Sequence, residues 1–252
     1  MSGHSKWAQI KHKKAVLDAR RGKAFTKLLK EITVAARLGG GDPDGNPRLR
    51  AAILEAKGSN VPNDNINRAV KKGTGELAGE AYEEVTYEGY APGGVAVLVA
   101  ALTDNRNRTV SELRHLFVKH GGNLAESGAV AWGFRKRGYF AIERRALDEE
   151  AAMELALELQ AEDVESDEDG YEIYTAADEF ARVREELERR GVPLVAHELA
   201  MVPQAWVRVP EPRAAQILRL LEALEDHDDV QRVWSNLAIE PRVLAGGAGG
   251  GS

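Results

Sequence analysis

The chain has 252 residues, 43% of them hydrophobic and 29% charged, a formal net charge of −6 and no cysteine. Lack of cysteine excludes disulfides, thiolate metal sites and thiol catalysis, and no run approaches the ~18 apolar residues of a membrane span. The size suits two or three domains, and an N-terminus without the apolar core of a signal peptide predicts a cytoplasmic protein.

Charge is divided unevenly along the chain. Residues 1–75 hold 16 Lys and Arg against 6 Asp and Glu, a net of +10, and the remaining 177 hold 18 against 34, a net of −16. A basic front on an acidic body points to a polyanionic partner for the basic part, nucleic acid or membrane surface.

Taken in order, residues 1–17 form an expected mobile arm carrying His4, Lys6, Lys11, His12, Lys13 and Lys14, with Trp7 and Ile10 as its apolar exceptions. Residues 18–38 read as an amphipathic helix. Phe25, Leu28, Leu29, Ile32 and Ala36 fall on one face, and Arg20, Lys23, Lys27, Lys30 and Arg37 on the other. Gly39–Gly41 and Asp42-Pro-Asp-Gly45 force a loop. A second helix is expected from Asn46 as N-cap to about Gly58. A third runs from Pro62 to Lys72, with Lys71 and Lys72 in its last turn and Gly73 just beyond.

From Ala81 the pattern turns to strands. Tyr82–Tyr90 and Val95–Leu102 read as a hairpin around residues 91–94. Thr109 and Glu112 have the spacing of a capping box opening a helix that Gly121-Gly122 ends, and Ala129–Phe134 reads as the next strand. Residues 137–203 then follow βαββαβ order, with Asp148 capping one helix, a hairpin around Asp167–Gly170, and Thr175 with Asp178 starting the other helix. A short strand at Trp206–Val209, a Leu-rich helix and a strand over Val230–Asn236 complete the interrupted unit.

The fold class expected is α+β multidomain: an N-terminal three-helix domain followed by two ferredoxin-like α+β domains, one inserted in the other. The expected divisions are 1–75, 76–136 plus 204–240, the insertion 137–203, and a flexible tail 241–252.

The sequence offers little catalytic chemistry. There is no Walker A and no dinucleotide-binding glycine pattern. Asp42-Pro-Asp44-Gly45 and Asp167-Glu-Asp169-Gly170 are better turns than calcium loops. His4 and His12 lack nearby carboxylates, so no metal and no cofactor are expected, and His115 and His120 read as surface groups. The segment Thr103-Asp-Asn-Arg106-Asn-Arg108 joins a strand to a helix N-terminus. It fits an anion site and a capped turn equally, and both stay open.

Gly3-His-Ser-Lys-Trp7, Ile10-Lys-His12, Arg21-Gly-Lys23, Phe25-Thr-Lys-Leu28, Glu31–Arg37, Asn46-Pro-Arg-Leu-Arg50, Asp64-Asn-Ile66, Lys71–Gly75, Tyr87–Tyr90, Thr103–Thr109, and Glu225-Asp through Asp228-Asp-Val-Gln231 closely resemble the YebC/PmpR family, in order over residues 1–240. The mitochondrial translational activator of cytochrome c oxidase is a related member. With no leader before the first motif, the chain resembles the bacterial, cytoplasmic members. The resemblance implies three domains and no catalytic residues. It also implies a regulator of gene expression: family members are described as transcriptional regulators that bind DNA, and others as ribosome-associated factors that promote translation of difficult sequences such as proline runs.

The expected function is therefore a non-enzymatic nucleic-acid-binding regulator, with a ribosome-associated RNA-binding translation factor as the alternative and a metal-dependent nuclease as a minor one. The expected contact residues are His4, Lys6, Trp7, Lys11, His12, Lys13, Lys14, Arg20, Arg21, Lys23, Lys27, Lys30, Lys71, Lys72, Arg106 and Arg108.

Overall fold

The computed structural model describes residues 21–168 and 170–238, with side chains from residue 24 onward. Expectations for the arm 1–17, for Arg20, for the side chains of Arg21 and Lys23, and for the tail 241–252 lie outside the described residues. No described helix is long and apolar enough to cross a membrane.

Three helices form the first unit: α1 (Arg21–Gly39), α2 (Pro47–Gly58) and α3 (Asn63–Thr74). The apolar face read from the sequence makes the core, where Ile32, Ala35 and Ala36 meet Leu49, Ala56, Ile66 and Ala69. Asn46 caps α2 as expected, accepting from the Leu49 N–H at 3.1 Å. Its amide also donates to the Ala35 and Gly40 carbonyls, both at 2.8 Å, which ties α2 to the end of α1. The end of α3 differs from expectation. The left-handed terminator is Gly75, and Gly73 lies inside the helix, where a Cβ would stand 2.4 Å from the Thr33 carbonyl oxygen. Gly73 is there for close helix crossing, not to end the helix.

Two four-stranded sheets, antiparallel throughout, follow. The first contains β1 (Glu83–Ala91), β2 (Val95–Thr103), β3 (Asn123–Ala125) and β8 (Val230–Ser235), in the order β3-β1-β2-β8. Gly93 and Gly94, both at positive φ, make the tight β1–β2 turn. Helices α4 (Arg106–Lys119) and α7 (Glu211–Glu225) cover one face, with Leu113 and Phe117 packed among Val97, Val99, Ile217, Leu220, Leu221 and Val233.

The second sheet contains β4 (Phe134–Glu143), β5 (Asp163–Ser166), β6 (Gly170–Ala176) and β7 (Leu194–Pro203), in the order β5-β6-β4-β7. Helices α5 (Glu149–Glu158) and α6 (Phe180–Arg189) pack on Phe140, Ile142, Tyr171 and Ile173. This is the ferredoxin-like order, and β8 rejoins the first sheet only after it is complete. Asp148 caps α5 as read. Between β5 and β6, the Asp167 carboxylate accepts from the Gly170 N–H, as a hairpin connection requires.

Several local readings are corrected. Residues 129–133 are a loop with a short 3₁₀ turn at Ala131–Gly133, β4 begins only at Phe134, and β3 lies earlier. Helix α4 starts three residues before the Thr109 capping box, because Asn105 accepts from the Arg108 N–H at 3.1 Å. Thr175 is buried within β6 instead of capping α6, which has no side-chain cap. Trp206–Val209 contributes one bridge, Val207 to Leu237.

Gly73→Ala must push two backbones apart, and is expected to destabilise the protein by about 2 kcal/mol in urea unfolding. Gly58→Ala, with nothing within 4 Å of the added methyl, is expected to be neutral or stabilising by up to ~1 kcal/mol. Equal effects of the two changes would refute the close-crossing role of Gly73.

Candidate nucleic-acid interface

The amphipathic pattern of α1 places its lysines opposite the core, as expected. What covers them is another part of the chain. Lys27 Nζ donates to the Glu225 carbonyl, and Lys30 Nζ donates to the Asp228 carbonyl at 3.1 Å and to Asp229 Oδ1 at 2.7 Å. The ammonium of Lys30 also lies 5.2 Å from the centre of the Tyr82 ring, and its side chain is only 11% exposed. Arg37 donates to the Tyr82 carbonyl. The lysine face of α1 is therefore a seam against the turn between α7 and β8.

Asp229 is the hub of that seam, with a side chain 3% exposed. Its Oδ2 accepts from Arg108 Nη2 and from Thr109 Oγ, each at 2.7 Å, while Oδ1 takes Lys30. Two distant segments, α1 and the start of α4, thus converge on one carboxylate. Burial raises its pKa, but Lys30, Arg108 and Thr109 outweigh that and bring it down to about 2. The Asp229 N–H donates to His227 Nδ1 at 3.1 Å. An accepting Nδ1 leaves a neutral ring's proton on Nε2, which faces Glu112 Oε2 at 2.8 Å.

A cleft of about 560 Å³ opens over this hub, lined among others by Thr26, Tyr82, Asp104 and Asp226. Glu112, His227 and Asp229 bring one ligand atom each within 4.8 Å of one another, the one such group among the described residues. They do not suit a divalent cation. Both Asp229 oxygens are already engaged, and the metal would stand beside Lys30 and Arg108.

The two arginines at the start of α4 lie differently. Asn105 fills the helix N-terminus, and Arg108 pairs with Asp104 at 2.8 Å as well as with Asp229. The segment is a capped turn whose arginine serves the seam. Arg106 is exposed and lies 3.8 Å from Glu83. Nothing local in the sequence marked Asp229 or Thr109 as partners, since they are 120 residues apart.

Away from the seam, α3 presents a different surface. Arg68, Lys71 and Lys72 are exposed, with no acidic partner among the described residues. Asn67 shares the exposed side, one turn before Lys71. Lys57, at the end of α2, is likewise exposed. Arg48 differs, being held by Glu31 at 2.7 Å and by Glu84.

Replacement of Asp229 by Asn would leave Lys30 and Arg108 facing a neutral amide, and is expected to cost about 2 kcal/mol at neutral pH. The folded carboxyl titrates near 2 against an ordinary value of 3.8, so its stabilisation is complete above about pH 4 and is lost as pH falls toward 2. Urea midpoints of wild type and Asp229→Asn should therefore converge over that interval. A pH-independent gap would show that the ionised carboxylate is not what holds the seam.

Two family models match the chain: the TACO1/YebC protein N-terminal domain over residues 5–76, and the TACO1/YebC second and third domain over residues 82–237. A protein of Syntrophus aciditrophicus (strain SB) named "probable transcriptional regulatory protein" is 56% identical over 245 residues, covering 97% of this chain and 98% of the other. One of the same name from Aquifex aeolicus (strain VF5) is 54% identical with the same coverage. The crystal structure of a conserved hypothetical protein from Aquifex aeolicus matches with a TM-score of 0.83 at 54% identity, over 94% of this chain and 98% of that one. With both the basic helical unit and the two sheets matched, and with relatives this similar over nearly their whole length, the chain belongs to the TACO1/YebC family.

Proposed function

We propose that this protein is a non-enzymatic regulator of gene expression that binds nucleic acid through its basic N-terminal unit. The observation that carries the reading is the unpaired cluster of Arg68, Lys71 and Lys72 on α3, within a stretch of net charge +10. Cations without acidic neighbours are the ones that can neutralise phosphates and release counterions. Lys27 and Lys30, engaged at the seam, contribute only if that seam opens. The arm residues His4, Lys6, Trp7, Lys11, His12, Lys13 and Lys14, together with Arg20, Arg21 and Lys23, are further contact residues in this reading.

The relatives' names favour a transcriptional role, hence duplex DNA. Asn67 and Arg68 on the exposed side of α3 support it, because Asn and Arg are side chains that read base edges in a major groove. An RNA-binding, ribosome-associated role is the second reading, favoured by the exposed Trp132 described below.

Charge reversal at Lys71 and Lys72 together is expected to weaken binding to a promoter-containing duplex at least ten-fold at ~0.1 M salt, and to flatten the dependence of log affinity on log salt by about two. Sedimentation with ribosomes, run beside duplex binding at matched salt, separates the two readings. Ribosome co-migration with only non-specific duplex binding would refute the transcriptional role. Unaltered affinity in the double variant for both partners would refute the placement on α3.

A further inference from the structure

Trp132 is the most exposed aromatic side chain among the described residues, 77% accessible. Its position is fixed by the chain on either side. Val130 and Phe134 are buried with Leu98 between the two sheets, and the intervening 3₁₀ turn carries the indole outward. The loop is pinned from beneath by Glu88, itself 4% exposed, whose carboxylate accepts from the N–H groups of Gly128, Val130 and Ala131 at 2.6–2.8 Å. Burial alone would raise the Glu88 pKa, but these three bonds outweigh it and hold it below the ordinary range. Gln204 clamps the Trp132 carbonyl from across the sheet at 2.8 Å. The indole N–H donates to the Ala129 carbonyl at 3.0 Å, so the edge of the ring is satisfied and its apolar surface faces solvent.

Arg135 and Lys136 follow, three and four residues on, both exposed and without an acidic partner among the described residues. Arg137, next along, is paired with Glu162 at 3.2 Å. The strand opposite offers Val202 and Met201 at these positions, so no neighbouring carboxylate on β7 competes for the two cations. Leu157, equally exposed, has Glu154 and Glu158 beside it and offers neither a ring nor a cation.

We propose that Trp132, with Arg135 or Lys136, forms a second nucleic-acid contact, in which an unpaired RNA base stacks on the indole and an adjacent phosphate meets one of the two cations. Successive residues of a strand alternate between faces, so a single strand stacked on the indole meets Arg135 on one side of β4 or Lys136 on the other. A duplex keeps its bases stacked inside and gives the indole nothing to receive, whereas RNA loops and unpaired runs display theirs. The inference rests on the nucleic-acid reading above, and places a contact in the acidic body that this reading does not need.

The test uses the full chain with an oligo-uridine strand of about 12 nucleotides and an RNA duplex of similar length. Trp132→Ala should weaken single-strand binding about ten-fold and leave duplex binding within about two-fold, with Trp132→Phe restoring most of the loss. Reversing Arg135 and Lys136 should lower the single-strand salt slope by about one. Unchanged oligo-uridine binding in Trp132→Ala, with the Lys71 and Lys72 variant still defective, would overturn this contact and leave the N-terminal reading standing. No binding of either RNA or of duplex DNA by the wild type would overturn both. A Trp132→Ala change in the sedimentation of the protein alone, without loss of RNA affinity, would assign the patch to self-association and overturn the proposal.

Discussion

A single buried carboxylate decides which of this protein's cations are available. Asp229 cannot be ionised at 3% exposure without partners, and it takes them from α1 (Lys30) and from the start of α4 (Arg108 and Thr109). The helical unit is held on the first sheet by this hub and by further polar contacts, Arg48 with Glu84, Arg37 with the Tyr82 carbonyl, and Arg232 with Glu55. A seam made of charges has geometric specificity but little hydrophobic area to lose, which is the usual character of interfaces between domains of one chain.

The fold was legible where the information was local. Amphipathic spacing located α1, and Asn46 and Asp148 were recognisable caps because an Asx side chain reaches only its own first turn. The same local reasoning failed at Thr109 and Thr175. Each has the spacing of a capping box, yet the Thr109 hydroxyl is drawn to an aspartate 120 residues away and Thr175 is buried in a strand. Gly73 and Gly75 look alike at the end of a helix, and only the approach of Thr33 tells that the first is for packing. Tertiary contacts override local preference where a side chain has a better distant partner.

The candidate interface was half legible for a related reason. Periodicity says which side of α1 faces away from its own core but not what lies against that side, so Lys27 and Lys30 could not be separated from Lys71 and Lys72. Trp132 was hidden more completely. Read as part of a strand, it would have one face buried; the 3₁₀ turn that puts it outside is made by Glu88, some forty residues earlier.

The charge asymmetry itself takes on a double meaning. The turn from Glu225 to Asp229 meets the lysines of α1 with two backbone carbonyls and a carboxylate, the oxygen-rich chemistry that a phosphate backbone would present. An internal partner of this kind competes at an effective concentration on the order of millimolar, far above that of most external ligands. In the proposed function, a polyanion arriving at the basic unit is thus directed first to cations with no internal partner, those of α3. Displacing Asp229 would strand a buried carboxylate without its counter-charges, so the seam stays closed unless the incoming strand supplies several phosphates at once. In the proposed function, the acidic body is in this sense the part of the protein that selects which basic residues a nucleic acid meets.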